Sequence, residues 1–136
     1  MAFIPRLFDS GKMVAVACAN STTIAKGDAM VDNASGYLTT ASAGGNVDIH
    51  YVAQEGVTTT SSGQLVLMVR TKGVWFEADT DANPAQTDVG TEADLATAAT
   101  IDPDASTDDL FYIESIVGAL GDKKVLGFFL EGVMNS

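Results

Sequence analysis

Basic residues are scarce in this chain of 136 residues: seven Lys and Arg stand against 18 Asp and Glu, a net charge of −11. Phosphate repels such a surface, which argues against nucleic acid and against an anionic membrane as partners. The single cysteine, Cys18, excludes an internal disulfide framework. With one histidine, His50, beside that one cysteine, a zinc site of soft ligands within a single chain is excluded as well. No GxSxG, HExxH, GxGxxG, P-loop or CxxC pattern occurs. No apolar run approaches the ~20 residues of a membrane helix. The segment MVAVAC (13–18) resembles an export signal only superficially. Five apolar residues precede Cys18 and Asp9 lies upstream, whereas an h-region needs about 7–15 apolar residues behind positive charge. The expectation is a cytosolic product in which this segment is a buried strand.

What remains reads as one β domain over residues 1–136. A hydrophobic fraction of 46% with only 18% charged residues is globular composition, and the length suffices to bury a core without metal or disulfide. Runs rich in Val, Thr, Ile, Tyr and Phe are punctuated by Gly, Asn, Asp and Ser. They predict strands over residues 14–18, 29–31, 37–40, 48–53, 56–58, 64–71, 74–78, 110–117 and 124–130. Turns are expected at Asn33–Gly36, Gly44–Asn46 and Ser61–Gly63, with hairpin tips at Lys72-Gly73 and Gly121-Asp122. Short strands at this spacing predict an all-β fold, a small barrel or a compact sandwich.

Periodicity adds detail. In QLVLMVRT (64–71), Leu65, Leu67 and Val69 face one way and Val66 and Met68 the other. Both faces are apolar, so this strand is either central or covered from outside the domain. VLGFFL (125–130) has the same character. Residues 78–109 differ: they lack large apolar clusters and carry Pro84 and Pro103. From Gly73 to Asp122 there are twelve acids and no base. The expectation here is a long, exposed acidic excursion. Within it, the capping-box signature at Thr91–Asp94, followed by alanines to Ala99, allows one short helix.

The groups available for catalysis are few. His50 lies in an alternating stretch and is expected to point to solvent. Cys18, in an apolar strand, behaves as a small inert hydrophobe. Asp79, Asp81 and Asn83 copy the first ligand positions of a calcium loop. The copy then fails, with Pro84 at the sharp turn and Gly90 at the bidentate position. A solvated acidic loop is the default reading of that stretch, and a weak divalent site the alternative. Trp75, between Val74 and Phe76, reads as core or interface. These features predict a non-enzymatic protein with no cofactor and no catalytic or metal site. The apolar stretch Phe3, Ile4, Pro5, Arg6, Leu7 and Phe8, inside an N-terminal arm of residues 1–12, is open to two readings. It is either a first strand that closes the core or an arm that packs on a neighbouring subunit.

Three groups of residues carry a family resemblance: KGDAMVDNASGYLTTA (26–41), then VAQEGV (52–57) and GQLVLM (63–68), then DVG (88–90) with DLFYIE (109–114) and KKVLGF (123–128). Together they resemble the capsid decoration, or cement, proteins of tailed bacteriophages over about residues 24–130. The resemblance implies a small β-barrel that binds the outer surface of expanded major capsid protein and stabilises the shell. It further implies self-association as trimers at local threefold positions, or single copies over capsomers, on a virion assembled in the host cytoplasm. That family has no catalytic residues. The capsid and subunit interface expected under it comprises Phe3, Ile4, Arg6, Leu7, Phe8, Trp75, Phe128 and Phe129. The alternatives are another non-enzymatic virion part, such as a head–tail connector, tail subunit or head-fibre subunit, or a calcium-assisted glycan-binding β module.

Overall fold

The structure, a computed structural model, describes residues 3–6, 12–33, 35–42, 49–106 and 109–130. The Gly44–Asn46 turn, Asp48, Leu7 and Phe8 lie outside the described residues. The expected all-β class holds. The strands are β1 (Ile4–Arg6), β2 (Met13–Cys18), β3 (Thr23–Ile24), β4 (Ala29–Asp32), β5 (Leu38–Thr40), β6 (Tyr51–Ala53) and β7 (Val57–Thr58). They continue with β8 (Gln64–Arg70), β9 (Trp75–Thr80), β10 (Glu92–Thr97), β11 (Thr100–Asp102), β12 (Phe111–Ile116) and β13 (Lys124–Phe129).

These strands form two curved sheets that pack side by side and a separate two-stranded ribbon. Strands β2, β5, β4, β6 and β8 close into a barrel. Its long seam is the antiparallel β2–β8 pairing, in register from Met13 opposite Val69 to Cys18 opposite Gln64. Cys18, Met30, Leu38, Ala53, Val66 and Met68 fill the interior. The small β3–β7 ribbon adds Ile24 and Val57 to that core. The second sheet runs β1-β9-β11-β10-β12-β13, and an additional β9–β13 pairing turns it back on itself. Phe76, Ala78, Ala93, Leu95, Ile101, Phe111, Ile113, Val125 and Phe129 line its inside.

The two cores meet. Ala29, Val52 and Val69, on the outer face of the first barrel, belong to the same buried cluster as the second sheet's interior. Beside them Met30, Ala53 and Met68 face the barrel inside. Alternation along β4, β6 and β8 therefore buries both faces at this junction, which accounts for part of the two-sided apolar pattern. The Ala29 N–H donates to the Ala98 carbonyl at the β10–β11 turn (2.7 Å), and the Phe3 N–H donates to the Gly27 carbonyl (3.1 Å).

Two expectations change here. Residues 78–109 are not an excursion from the fold, because they supply the end of β9 and all of β10 and β11, with Ala78, Ala93, Leu95 and Ile101 in the core. The stretch expected to allow a helix is strand β10. Alanine's helix preference amounts to only about 0–0.7 kcal/mol per residue. Burying Ala93 and Leu95 while pairing with β11 and β12 outweighs it. The Thr91 hydroxyl donates to the Asp88 carbonyl (2.6 Å), closing the preceding 3-10 turn at Gln86–Asp88. The expected Asn33–Gly36 turn is present: the Asn33 side-chain oxygen accepts from the Ser35 and Tyr37 N–H groups at 2.8 and 3.0 Å.

Candidate interaction surfaces

Strand pairing in the second sheet places a row of residues across its outer face. Arg6 on β1 lies opposite Trp75 on β9. Gly127 pairs with Phe76, so the next residue, Phe128, meets Trp75. Tyr112 on β12 lies opposite Phe128, and Glu92 on β10 opposite Tyr112. The rings touch. Trp75 and Phe128 pack edge to face at 5.2 Å, and Tyr112 stacks on Phe128 at 5.1 Å with 27° between planes. Such pairs contribute about 0.5–1.5 kcal/mol each beyond the area they bury. All three rings are half-buried, so the row is an apolar surface with a cation at one end and an acid at the other. A cavity of about 490 Å³ flanks it, lined by Arg6, Trp75, Glu77, Glu114, Val117 and Leu126. Arg6 donates to Glu77 at 2.8 Å along its rim.

A second apolar surface lies on the first barrel. Leu65 is 64% exposed and Leu67 39% exposed, the large hydrophobic residues left most open among those described. They point outward from β8, opposite Ala17 and Ala15 of β2. The Glu55 carboxylate accepts the Leu67 N–H at 2.7 Å, so the strand's backbone is held while its side chains stay open. One strand, β8, is thus covered by the second sheet at Val69 and uncovered at Leu65 and Leu67.

The sequence-predicted interface residues separate into three groups. Trp75, Phe128 and Arg6 come together in the row described above, with Ile4 half-buried on the same β1 strand. Phe3 and Phe129 instead point inward and are fully buried together, their centroids 4.8 Å apart, with Phe76 and Phe111 around them. In the isolated chain these two rings belong to the core. For residues 3–6 the structure realises the first-strand reading of the N-terminal stretch. Leu7 and Phe8 fall among the residues not described. Sequence reasoning missed Tyr112, although its alternation with Phe111 and Ile113 puts it on the outer face.

The titratable groups are distributed as follows. Cys18 is fully buried; burial first, and the Glu55 charge second, push its thiol up from the ordinary 9.0. Asp79, the first position of the calcium-like run, binds the Lys124 ammonium at 2.6 Å across β9 and β13. That hydrogen bond raises the Lys124 pKa, against an opposing effect of desolvation. No group of three or more His, Cys, Asp or Glu side chains among the described residues is arranged to hold a metal ion. His50 is exposed and lines a cavity of about 320 Å³ with Lys12, Arg70, Thr71 and Lys72.

No family model matches the sequence, and no curated protein and no solved structure matches it either.

Proposed function

We propose that this protein is a capsid decoration protein of a tailed bacteriophage, a non-enzymatic part that binds the outside of the expanded major capsid shell and stabilises it. The observation that carries this reading is the pair of outward apolar surfaces: the Trp75–Phe128–Tyr112 row on the second sheet and Leu65 with Leu67 on the first barrel. Fully burying side chains of this size is worth about 1.5–3 kcal/mol each. Two such surfaces let one small barrel protein contact both the shell and a neighbouring copy, as in a trimer over a local threefold. Weak contacts repeated over a lattice then add by avidity. The resemblance of the short motifs over residues 24–130 to that family supports the reading. The acidic exterior, at −11 per copy, keeps decorated particles apart.

Binding to purified, undecorated shells tests this. Saturation of expanded shells at a multiple of the threefold or capsomer count, with no binding to unexpanded ones, is expected. Joint replacement Trp75→Ser and Phe128→Ser weakens that binding by about tenfold or more, as one to two lost hot-spot side chains do. A discrete ring in solution with no affinity for either shell would favour a connector or tail subunit instead.

One observation favours a second reading, a glycan-binding module. The cavity beside Trp75 places an indole next to Glu77, Glu114 and Arg6, which is stacking area with hydroxyl-binding groups around it. Quenching of Trp75 fluorescence by oligosaccharides, without calcium and without any shell present, separates this reading from the first.

A further inference from the structure

Charge is divided between the two halves of the chain. Residues 73–122 carry twelve acids and no base, and the strands within them, β9 to β12, belong to the second sheet. Residues 12–72 are balanced, with Lys12, Lys26, Arg70 and Lys72 against Asp28, Asp32, Asp48 and Glu55. Three of those four cations, and the chain's one histidine, converge on the single cavity lined by Lys12, His50, Arg70, Thr71 and Lys72. Among the described residues, no carboxylate lines this cavity.

The cavity is also built. Its floor is Thr71, a buried residue whose hydroxyl donates to the Ile49 carbonyl at 2.7 Å and whose N–H donates to the His50 carbonyl at 3.0 Å. Arg70 is held in place by Tyr51: the guanidinium lies 5.5 Å from the ring centroid, and Nη1 donates to the hydroxyl at 3.2 Å. This leaves the rest of the guanidinium fork for other acceptors. Neither Arg70 nor Lys12 has a carboxylate partner among the described residues. Phosphate sites recruit backbone N–H groups in a nest or at a helix start. Here the Thr71 and Val74 N–H groups are occupied by the His50 and Thr71 carbonyls, and the cations come from two separate stretches of chain, at Lys12 and at Arg70 to Lys72. Donors of this kind, side chains only and spread around a space larger than one ion, suit several carboxylates presented together.

We propose that this cavity is a docking site for paired carboxylates carried by an acidic segment of a partner protein. The site lies on the first barrel and uses none of the residues of the aromatic row, so it stands or falls independently of the decoration-protein reading. Electrostatic docking of this type is fast, and salt weakens it strongly.

Fluorescence anisotropy of a labelled Gly/Ser-flanked tetra-aspartate peptide on the full chain at low ionic strength reads the site directly. The wild type binds the peptide and releases it as salt rises, while an all-asparagine peptide does not bind. Arg70→Glu or Lys12→Glu weakens binding about tenfold or more, a step of at least ~1.4 kcal/mol. Lys26→Glu changes the net charge equally but lies on an exposed turn outside the cavity, so it leaves affinity within about threefold. Thermal melts of the three variants confirm that each is folded. Absence of wild-type binding overturns the proposal, and so does equal weakening by Lys26→Glu. Displacement of the peptide by inorganic phosphate, at an ionic strength where acetate fails to displace it, overturns the assignment to carboxylates.

Discussion

At Gly127, a Cβ would run into the carbonyl oxygen of Tyr112 and come within 2.7 Å of the Phe111 ring, because β13 passes close over β12 where Gly127 faces Ile113. At Gly36, by contrast, nothing lies within 4 Å of such a Cβ; the position requires glycine only through its φ of +84°. These two reasons have different costs. Gly36→Ala pays only the left-handed backbone strain, about 1–2 kcal/mol. Gly127→Ala must displace a strand in a packed sheet, which costs about 3 kcal/mol or more. Urea denaturation of the two variants is expected to rank them in that order, with unchanged m-values. Equal losses would mean that β13 slides to accommodate the methyl group. Of these residue-scale features, the Gly36 turn is legible from Asn33 and Gly36 alone. The Gly127 contact is not, since it depends on which strand lies beside it.

Strand β1 shows how an element acquires its role. By sequence, Phe3 to Phe8 suits an edge strand or an arm equally, because an apolar stretch with Pro5 is extended in either setting. In the structure Ile4, Pro5 and Arg6 pair with Glu77, Phe76 and Trp75, and Phe3 enters an aromatic cluster with Phe76, Phe111 and Phe129. Phe3→Ala is therefore expected to cost about 3–5 kcal/mol of folding stability in the free protein, read as a lower thermal midpoint. An unchanged midpoint would return these residues to the role of an external arm. Strand β10 carries the opposite lesson. Its local signals, a capping box and alanines, point to helix, and only the neighbours β11 and β12 make it a strand. Local preference of a few tenths of a kcal/mol per residue yields to tertiary burial.

For the whole molecule, the decisive fact is that the buried cluster of the second sheet includes Ala29, Val52 and Val69 from the first barrel. Neither the barrel nor the second sheet can unfold without exposing that shared core. Unfolding is expected to be one cooperative transition, with calorimetric and van't Hoff enthalpies in a ratio near ~1. Two resolved transitions in scanning calorimetry would show that the barrel and the second sheet are separate folding units. The same scale explains the division of labour on the surface. Acids gather around the second sheet, three cations gather at one cavity of the first barrel, and the apolar surfaces face outward from each.

The sequence by itself determined the all-β class, the nine strands it marked, the buried state of Cys18 and the exposure of His50, because alternation and turn chemistry are local and survive without neighbours. It also showed that β8 carries apolar residues on both faces. Only the tertiary structure decided which of them are covered: Val69 lies under the second sheet, while Leu65 and Leu67 remain open. It likewise sorted Phe129 into the core and Phe128 onto the surface, and brought Lys12, His50 and Arg70 to one cavity. Period 2 separates two faces of a strand but does not say which one meets another sheet. Residues distant in sequence become neighbours only when strands pair.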